Sequence, residues 1–373
     1  MSEVTRDIDT IAIIGGGQLG RMLTSPAVEL GFKVSVLDPV ENSPATQVGA
    51  HQLVGKLTDT DAIDRLAVNA DVLTWEIEHI PAEHLLELLE NDINIEPSPS
   101  TLLMIQDKLR QKQFLQSVGI PVAPFNNGVS ADNFIGGGPY MIKTRRGGFD
   151  GRGNLKVDTL DDPRISEVFG DQEVYTEQIV SFEKEIAIIA ARDKKGNISK
   201  YPAVETIHEN NICHIVMSPA NIFPDILKQA NDIAEATLTH LYGAGIFAIE
   251  MFVVDGKVFV NEIAPRVHNS GHLTIEANVT SQFEQHIRAI TGMSLGSTAL
   301  KAPAAVMINI LGKKEEDFSL EGLDSVLALP DTHPHFYGKA PRLARKIGHI
   351  TVLGDSIEEA VITAKKARNS LAI

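Results

Sequence analysis

The stretch NEIAPRVHNSGH, residues 261–272, directly follows the apolar run VFV. It carries Glu262, Arg266, His268, His272, Asn261, Asn269, Ser270, Pro265 and Gly271, far more polar chemistry than a strand exit needs. Just before it, GIFAIEMFVV (245–254) and KVFVNEI (257–263) read as a hairpin. A three-residue connection through Asp255, Gly256 and Lys257 sets Glu250 opposite Glu262, whereas a two-residue turn sets it opposite Asn261. In the first register two carboxylates share a face about 5 Å apart. Both strands are apolar enough to make unpaired charge costly. A magnesium ion bridging nucleotide phosphates suits such a pair, because it takes one or two carboxylates plus phosphate oxygens. Two exposed glutamates paired with lysines are the bland alternative.

Two glycine loops offer further chemistry. KTRRGGFDGRGN (143–154) joins glycines to Lys143, Arg145, Arg146 and Arg152. Such a loop can fold over a triphosphate, excluding water and neutralising charge, or it can be a solvated hairpin tip. It lacks the P-loop spacing. GGGQLG places Gly15, Gly17 and Gly20 between a strand and a helix, and Asp38 ends the next strand. That is the context of a dinucleotide site, so an NAD-dependent dehydrogenase is a fair first hypothesis. It leaves the other two constellations unexplained.

The elements that must hold these residues follow from periodicity. TIAII (10–14), FKVSVLD (32–38) and DVLTWE (71–76) are short apolar strands alternating with helical patterns, as in a doubly wound parallel sheet. Pro26 should kink or shorten the first helix. Residues 101–119 read as one amphipathic helix ending at Gly119. The segment 185–216 alternates like an antiparallel meander, and a β-rich unit closes with a helix near 356–369. The expected domains are 1–100, 101–298 with a lid subdomain at about 120–180, and 299–373.

Composition narrows the partners. The chain has 373 residues and a net charge of −16. Its overall field repels nucleic acid and anionic membrane, so neither is expected as a partner. An anionic substrate must be gripped by local clusters such as KAPRLARK (339–346). A single cysteine, Cys213, an N-terminus without an apolar signal segment and the lack of a long apolar run point to the cytoplasm.

Together, GGGQLGRM, KTRRGGFDGRG, NEIAPRVHNSGH and YGKAPRLARKIGHIT resemble the N5-carboxyaminoimidazole ribonucleotide synthetases of the ATP-grasp superfamily, over nearly the whole chain. The resemblance implies a pre-ATP-grasp domain, an ATP-grasp domain with a glycine-rich lid and a small C-terminal domain. It implies carboxylation of 5-aminoimidazole ribonucleotide (AIR) by bicarbonate and ATP through carboxyphosphate, in purine biosynthesis. It also implies Mg2+, with Mn2+ as the substitute, no NAD, no biotin, and a homodimer. A formate-dependent glycinamide ribonucleotide transformylase is the nearest rival; a biotin carboxylase fits the C-terminal pattern less well, and a non-catalytic nucleotide-binding regulator would keep the lid without turnover.

Residue by residue, the resemblance assigns Lys108 and Lys143 to the ATP phosphates, although many relatives have Arg at the first position. Gly148, Phe149, Asp150, Gly151, Arg152, Gly153 and Asn154 match the lid, Asp150 and Arg152 with catalytic roles; Phe149 stands where Tyr is common. Glu177, Gln178, Ile179 and Val180 match the strand beside adenine. Glu185 matches the ribose carboxylate and His208 a nucleotide-site histidine. Glu250 and Glu262 match the metal ligands, with Asn261 beside them and Ala264 where other ATP-grasp enzymes carry Asn. Arg266, His268 and Asn269 are the expected catalytic and AIR-side residues, joined on that side by Gln18, Leu19, Glu76, Lys339 and Arg345.

Overall fold

The computed structural model describes residues 8–132, 134, 137–148, 153–312 and 320–372. The expected lid residues Phe149, Asp150, Gly151 and Arg152 lie outside the described residues.

The N-terminal unit is a parallel sheet of four strands among the described residues: β1 Thr10–Ile14, β2 Lys33–Asp38, β3 His51–Val54 and β4 Val72–Trp75, in the order β3-β2-β1-β4. Helix α1 (Gln18–Glu29) springs from the glycine loop after β1 and runs through Pro26; α2 (Thr60–Ala67) is capped by the Asp59 side chain, and α3 (Ala82–Glu90) follows β4. Strand β1 is buried on both faces, as its unbroken apolar run requires.

The single helix expected over 101–119 is two helices, α4 (Pro99–Gln106) and α5 (Lys108–Ser117). Asp107 makes the break. It leaves helical conformation and its Oδ1 accepts from the N–H groups of Leu109 and Arg110, capping α5. The break re-aims α5 so that Lys108 and Lys112, four residues apart, share one face.

A small antiparallel sheet follows: β5 Phe125–Asn127, β6 Tyr140–Thr144, β7 Asn154–Val157 and β8 Val174–Gln178, ordered β5-β8-β6-β7. The large sheet holds β9 Lys184–Arg192, β10 Ile198–Lys200, β11 Val204–Glu209, β12 Ile212–Ser218, β13 Gly245–Val254, β14 Lys257–Ala264, β15 Ala304–Leu311, β16 Thr332–Phe336 and β17 Lys346–Gly354. Its order is β14-β13-β9-β11-β12-β15-β17-β16, with β10 paired to β9. The C-terminal strands therefore do not form a sheet of their own; β15 pairs with β12 and extends the central one.

One apolar cluster ties the N-terminal unit to the large sheet. Ile11, Leu23 and Val34 pack in the same core as Ile189, Ile246, Phe283 and Ile287. Each such side chain, fully buried, contributes roughly 1.5–3 kcal/mol. His286, wholly buried, bridges the seam: its Nδ1 accepts from Ile246 N–H at 3.1 Å and its Nε2 lies 2.9 Å from Thr74 Oγ1. Burial pushes its pKa down to about 3, so it serves as a neutral bridge. This seam fixes the glycine loop against the exit of β14. Among the described residues no helix is long and apolar enough to cross a membrane.

Candidate active site

The hairpin β13–β14 turns through two residues, with Val254 paired to Lys257. Asp255 and Gly256 take positive φ, 47° and 72°, as a tight primed turn demands. By that turn alone Glu250 would face Asn261. The register instead shifts between Glu250 and Met251: Met251 faces Val260, and Glu250 faces Glu262. Asn261 is the extra residue of a β-bulge, and the bulge brings the two carboxylates opposite one another. The turn length and the pairing thus come from different alternatives of the sequence reading.

The two glutamates are held in opposite charge states. Burial, then the charges of Glu262 and Glu185, push Glu250 up to about 8. Glu262 is drawn below its ordinary value, chiefly by Lys108, whose Nζ lies 3.2 Å from its Oε2. A carboxyl kept neutral by burial and by its neighbour's charge is part of a donor set that a hard divalent cation fits, because the cation would restore the second charge.

Beside this pair lies a chain of ion pairs. Lys143 Nζ is 2.7 Å from Glu177 Oε2, and Lys112 Nζ is 2.9 Å from Glu177 Oε1. Burial works against the Glu177 carboxylate, but the two ammonium groups outweigh it and hold its pKa down to about 2. The side chain of Glu177 therefore faces this cluster, while its backbone belongs to β8. The N–H of Gln178 donates to Pro124 O at 2.9 Å, and Ile179 and Val180 follow as the chain leaves β8. Arg145, expected among the loop cations, is tied to Asp107 at 2.5 Å and to Glu173 at 3.2 Å. Gly153, at φ 77°, packs over Thr144, and Asn154 on β7 pairs with Lys143 on β6, so this end of the lid starts beside Lys143. Gly148 adjoins Gly153.

Glu185 and His208 come together on adjacent strands, with Nδ1 3.0 Å from Oε2. Burial opposes the imidazolium, but Glu185 prevails and raises the histidine's pKa. On the other flank, Arg266 Nε sits 2.7 Å from Glu78 Oε1, and its Nη1 donates to Val267 O at 2.9 Å. His268 Nδ1 accepts from the Ser270 N–H at 3.3 Å, which leaves the ring proton on Nε2, 3.3 Å from Glu250 Oε1. Burial and the neighbouring Arg266 push its pKa well down, so the imidazole is neutral. Asn269 exchanges side-chain hydrogen bonds with Asn309, at 3.1 and 2.8 Å.

At the glycine loop the helix N-terminus is already filled. Glu76 Oε1 accepts from Gly17 N–H at 2.5 Å, and its Oε2 accepts from Gly20 N–H. A Cβ on Gly17 would fall 2.6 Å from that Oε1. Burial raises the Glu76 pKa, and the two N–H groups and Lys339 oppose the rise. Lys339 Nζ, from the far end of the chain, donates to Gln18 Oε1. Leu19 turns its side chain into the core. Arg345 donates to Ala340 O at 3.0 Å from a half-buried position.

The sequence reading missed Lys112, Glu78 and Asp107. A signal for Lys112 was present: it lies one helical turn after Lys108. Nothing local marks Glu78 or Asp107, which acquire their roles from partners distant in sequence.

The chain that carries this arrangement, a carboxylate pair and lysines on one flank and an arginine–histidine pair running toward a glycine loop on the other, matches known families. Residues 8–106 match the ribonucleotide synthetase preATP-grasp domain, 113–283 the ATP-grasp domain, and 305–362 the phosphoribosylaminoimidazole carboxylase C-terminal domain. The N5-carboxyaminoimidazole ribonucleotide synthase of Synechocystis sp. is 36% identical over 96% of this chain and 95% of its own. The phosphoribosylaminoimidazole carboxylase of Ogataea methanolica is 41% identical over 95% of this chain and 68% of its own. The chain spans about two thirds of the length of such carboxylases. The crystal structure of N5-carboxyaminoimidazole ribonucleotide synthetase from Thermotoga maritima superposes with a TM-score of 0.87 at 42% identity, covering 97% of this chain and 98% of that one. The Aspergillus clavatus enzyme in complex with ADP and AIR gives 0.89 at 34% identity, covering 98% of each. The matched domains and the superposed structures define an ATP-grasp ligase. The chain belongs to the N5-carboxyaminoimidazole ribonucleotide synthase family, of the PurK type.

Proposed function

We propose that this protein carboxylates the exocyclic amine of AIR, using ATP and bicarbonate and releasing ADP and phosphate. The observation that carries the reading is the place of Arg266. Its guanidinium is fixed by Glu78 and feels the charges of both Glu76 on the glycine loop and Glu262 on the hairpin. A permanently charged planar fork between two such ends suits an oxyanion that receives a phosphoryl group from one side and meets an amine on the other.

Phosphoryl transfer needs mainly positioning and charge neutralisation. Lys108 and Lys143 would supply fixed positive charge to the phosphates, and Glu250 and Glu262 would hold Mg2+, or Mn2+ in its place. When bound, the metal supplies Lewis-acid neutralisation of the phosphate oxygens. Glu185 and His208 lie next along the strands, where a ribose would be read. Arg266 would hold bicarbonate and then carboxyphosphate. His268, neutral with its proton on Nε2, suits hydrogen-bond donation; its low pKa makes a proton shuttle the weaker role. Asn269 would have to give up its exchange with Asn309 to reach substrate. The lid residues 149–152 would exclude water from the short-lived intermediate.

The glycine loop then belongs to AIR. Its helix N-terminus already holds Glu76, which supports reading it as no dinucleotide site. Gln18 and Lys339 are placed for a phosphate or ribose group, with Arg345 nearby. A homodimer in the cytoplasm, with neither NAD nor biotin, completes the reading; the buried free thiol of Cys213 suits a reducing compartment.

The test is ADP release with ATP, magnesium, bicarbonate and AIR, omitting each in turn. Full activity without bicarbonate, or formate replacing it, overturns the proposal in favour of a formate-dependent transformylase.

A further inference from the structure

Lys112 belongs to none of the roles above. Its side chain is 2% exposed, and its Nζ is bound to Glu177 Oε1 at 2.9 Å and to Val260 O at 3.2 Å. A buried lysine is rare unless paired, and this one is paired with a carboxylate that already has a cation, Lys143 on the solvent side. Two ammonium groups therefore share one carboxylate. The outer one, 15% exposed, sits on β6 at the edge of the lid loop, and the inner one on α5 is anchored by a backbone carbonyl.

We propose that Lys112 is a positioning residue: it is the permanent counter-ion of Glu177, which frees Lys143 to leave that carboxylate and meet the phosphates of the nucleotide. This rests on the reading of Lys143 as a phosphate ligand. Without the inner lysine, moving Lys143 toward a phosphate would strand a buried carboxylate with no ion-pair partner, a costly state. With it, Glu177 keeps one short ion pair throughout, so binding need not bear that cost. Val260 O holds the inner ammonium in place, and Tyr175, fully buried with its hydroxyl 3.5 Å from Glu177 Oε2, closes the carboxylate off from solvent.

A double-mutant cycle on ATP affinity tests this, measured by calorimetry with ATP and magnesium on the full chain. Lys112→Met should weaken ATP binding about tenfold or more, raise KM for ATP and leave KM for AIR near its native value. In a Glu177→Gln background the same change should have almost no effect, because no carboxylate remains to be stranded. Lys112→Arg should recover much of the loss. If Lys112→Met costs the same in both backgrounds, Lys112 acts only as a distant positive charge and the proposal fails. If KM for ATP and AIR rise together, its role is merely structural and the proposal also fails. Should Lys112→Met not fold, the Lys112→Met/Glu177→Gln protein decides. Folding with ATP affinity close to that of Glu177→Gln alone supports the counter-ion role, and failure to fold overturns it. If native protein binds no ATP, the reading of Lys143 fails first, and that control separates the two.

Discussion

The glycine loop and the carboxylate hairpin solve opposite problems. At the loop, a helix N-terminus offers N–H groups suited to an anion, and the chain supplies that anion itself through Glu76. At the hairpin, a β-bulge forces Glu250 and Glu262 together and leaves their charges unbalanced, with Glu250 pushed up to about 8. One region is electrostatically complete and the other is not. A motif therefore tells less than the charge left over once the protein's own groups have paired. The loop with the dinucleotide signature is satisfied internally, whereas the hairpin, which has no named signature of its own, keeps a buried carboxyl raised far above its ordinary range.

The hairpin should show the larger functional effect. Glu262→Gln keeps shape and removes one charge that would hold the proposed metal, so kcat/KM should fall by several kcal/mol in transition-state terms. Near-native turnover at saturating magnesium would remove the contrast, since the hairpin would then need no cation. At the loop end, Lys339→Ala should raise KM for AIR far more than KM for ATP, by roughly 1.5–3 kcal/mol, the worth of a charge-assisted hydrogen bond. Arg345→Ala should do less, because its guanidinium is already bound to a backbone carbonyl. Equal weakening of both substrates would mean that the C-terminal part had merely loosened.

The charge imbalance also has a pH signature. A carboxyl whose folded pKa is raised contributes stability that is present below its unfolded value and lost as pH rises through the folded value. The metal-free protein should thus lose stability between about pH 5 and pH 8 on account of Glu250. Magnesium with ATP should flatten that slope. Glu177, held at about 2 by its two lysines, has the opposite sign: its contribution is present above the unfolded value and lost as acid approaches pH 2. Urea melts at pH 5, 6.5 and 8, with and without magnesium–ATP, read the first effect. A flat metal-free profile would show that Glu250 is not the strained member.

What could be read from the sequence follows the same division. The parallel strands β1, β2 and β4 were legible because each is a short, mainly apolar, β-branched-rich segment between helical patterns. Glu250 and Glu262 were legible because they interrupt apolar strands, where a carboxylate needs a reason. Their register was not, because it depends on a bulge at Asn261 that no local propensity marks. The break at Asp107 was missed for a related reason: an aspartate inside an amphipathic pattern reads as a solvated position until its carboxylate is seen to cap α5 and bind Arg145. Lys112 stayed hidden because a lysine on a helix is ordinarily solvent-facing. The filling of the glycine loop by Glu76 depends on a strand 59 residues away from Gly17, beyond any motif's reach.

Two glycines bring the comparison down to single atoms. Gly15, at φ 107°, has Glu76 Cγ where a Cβ would stand. Gly15→Ala should cost about 1–3 kcal/mol of stability through backbone strain. It should also displace Glu76, so KM for AIR should rise beyond what the lost stability explains. Native KM in a destabilised protein would show Glu76 to be a structural plug with no bearing on substrate.

Gly256 carries the same left-handed requirement, at φ 72°, but a Cβ there meets nothing within 4 Å. Gly256→Ala therefore tests conformation alone. Its cost should be about 1 kcal/mol, the ordinary penalty for an L-residue in that region. The facing of Glu250 and Glu262 is set by the bulge at Asn261 five residues further on, so the loosened turn should leave their register intact. Chemical denaturation should thus show the small loss, while kcat and the magnesium dependence of turnover stay native. A change in magnesium affinity on Gly256→Ala would mean that the turn, and not the bulge, sets the carboxylates opposite one another. Insertion of one residue at the turn would then have to abolish binding, whereas a bulge-set register would tolerate it. That pair of variants separates a site built by turn length from one built by an irregularity inside the strand.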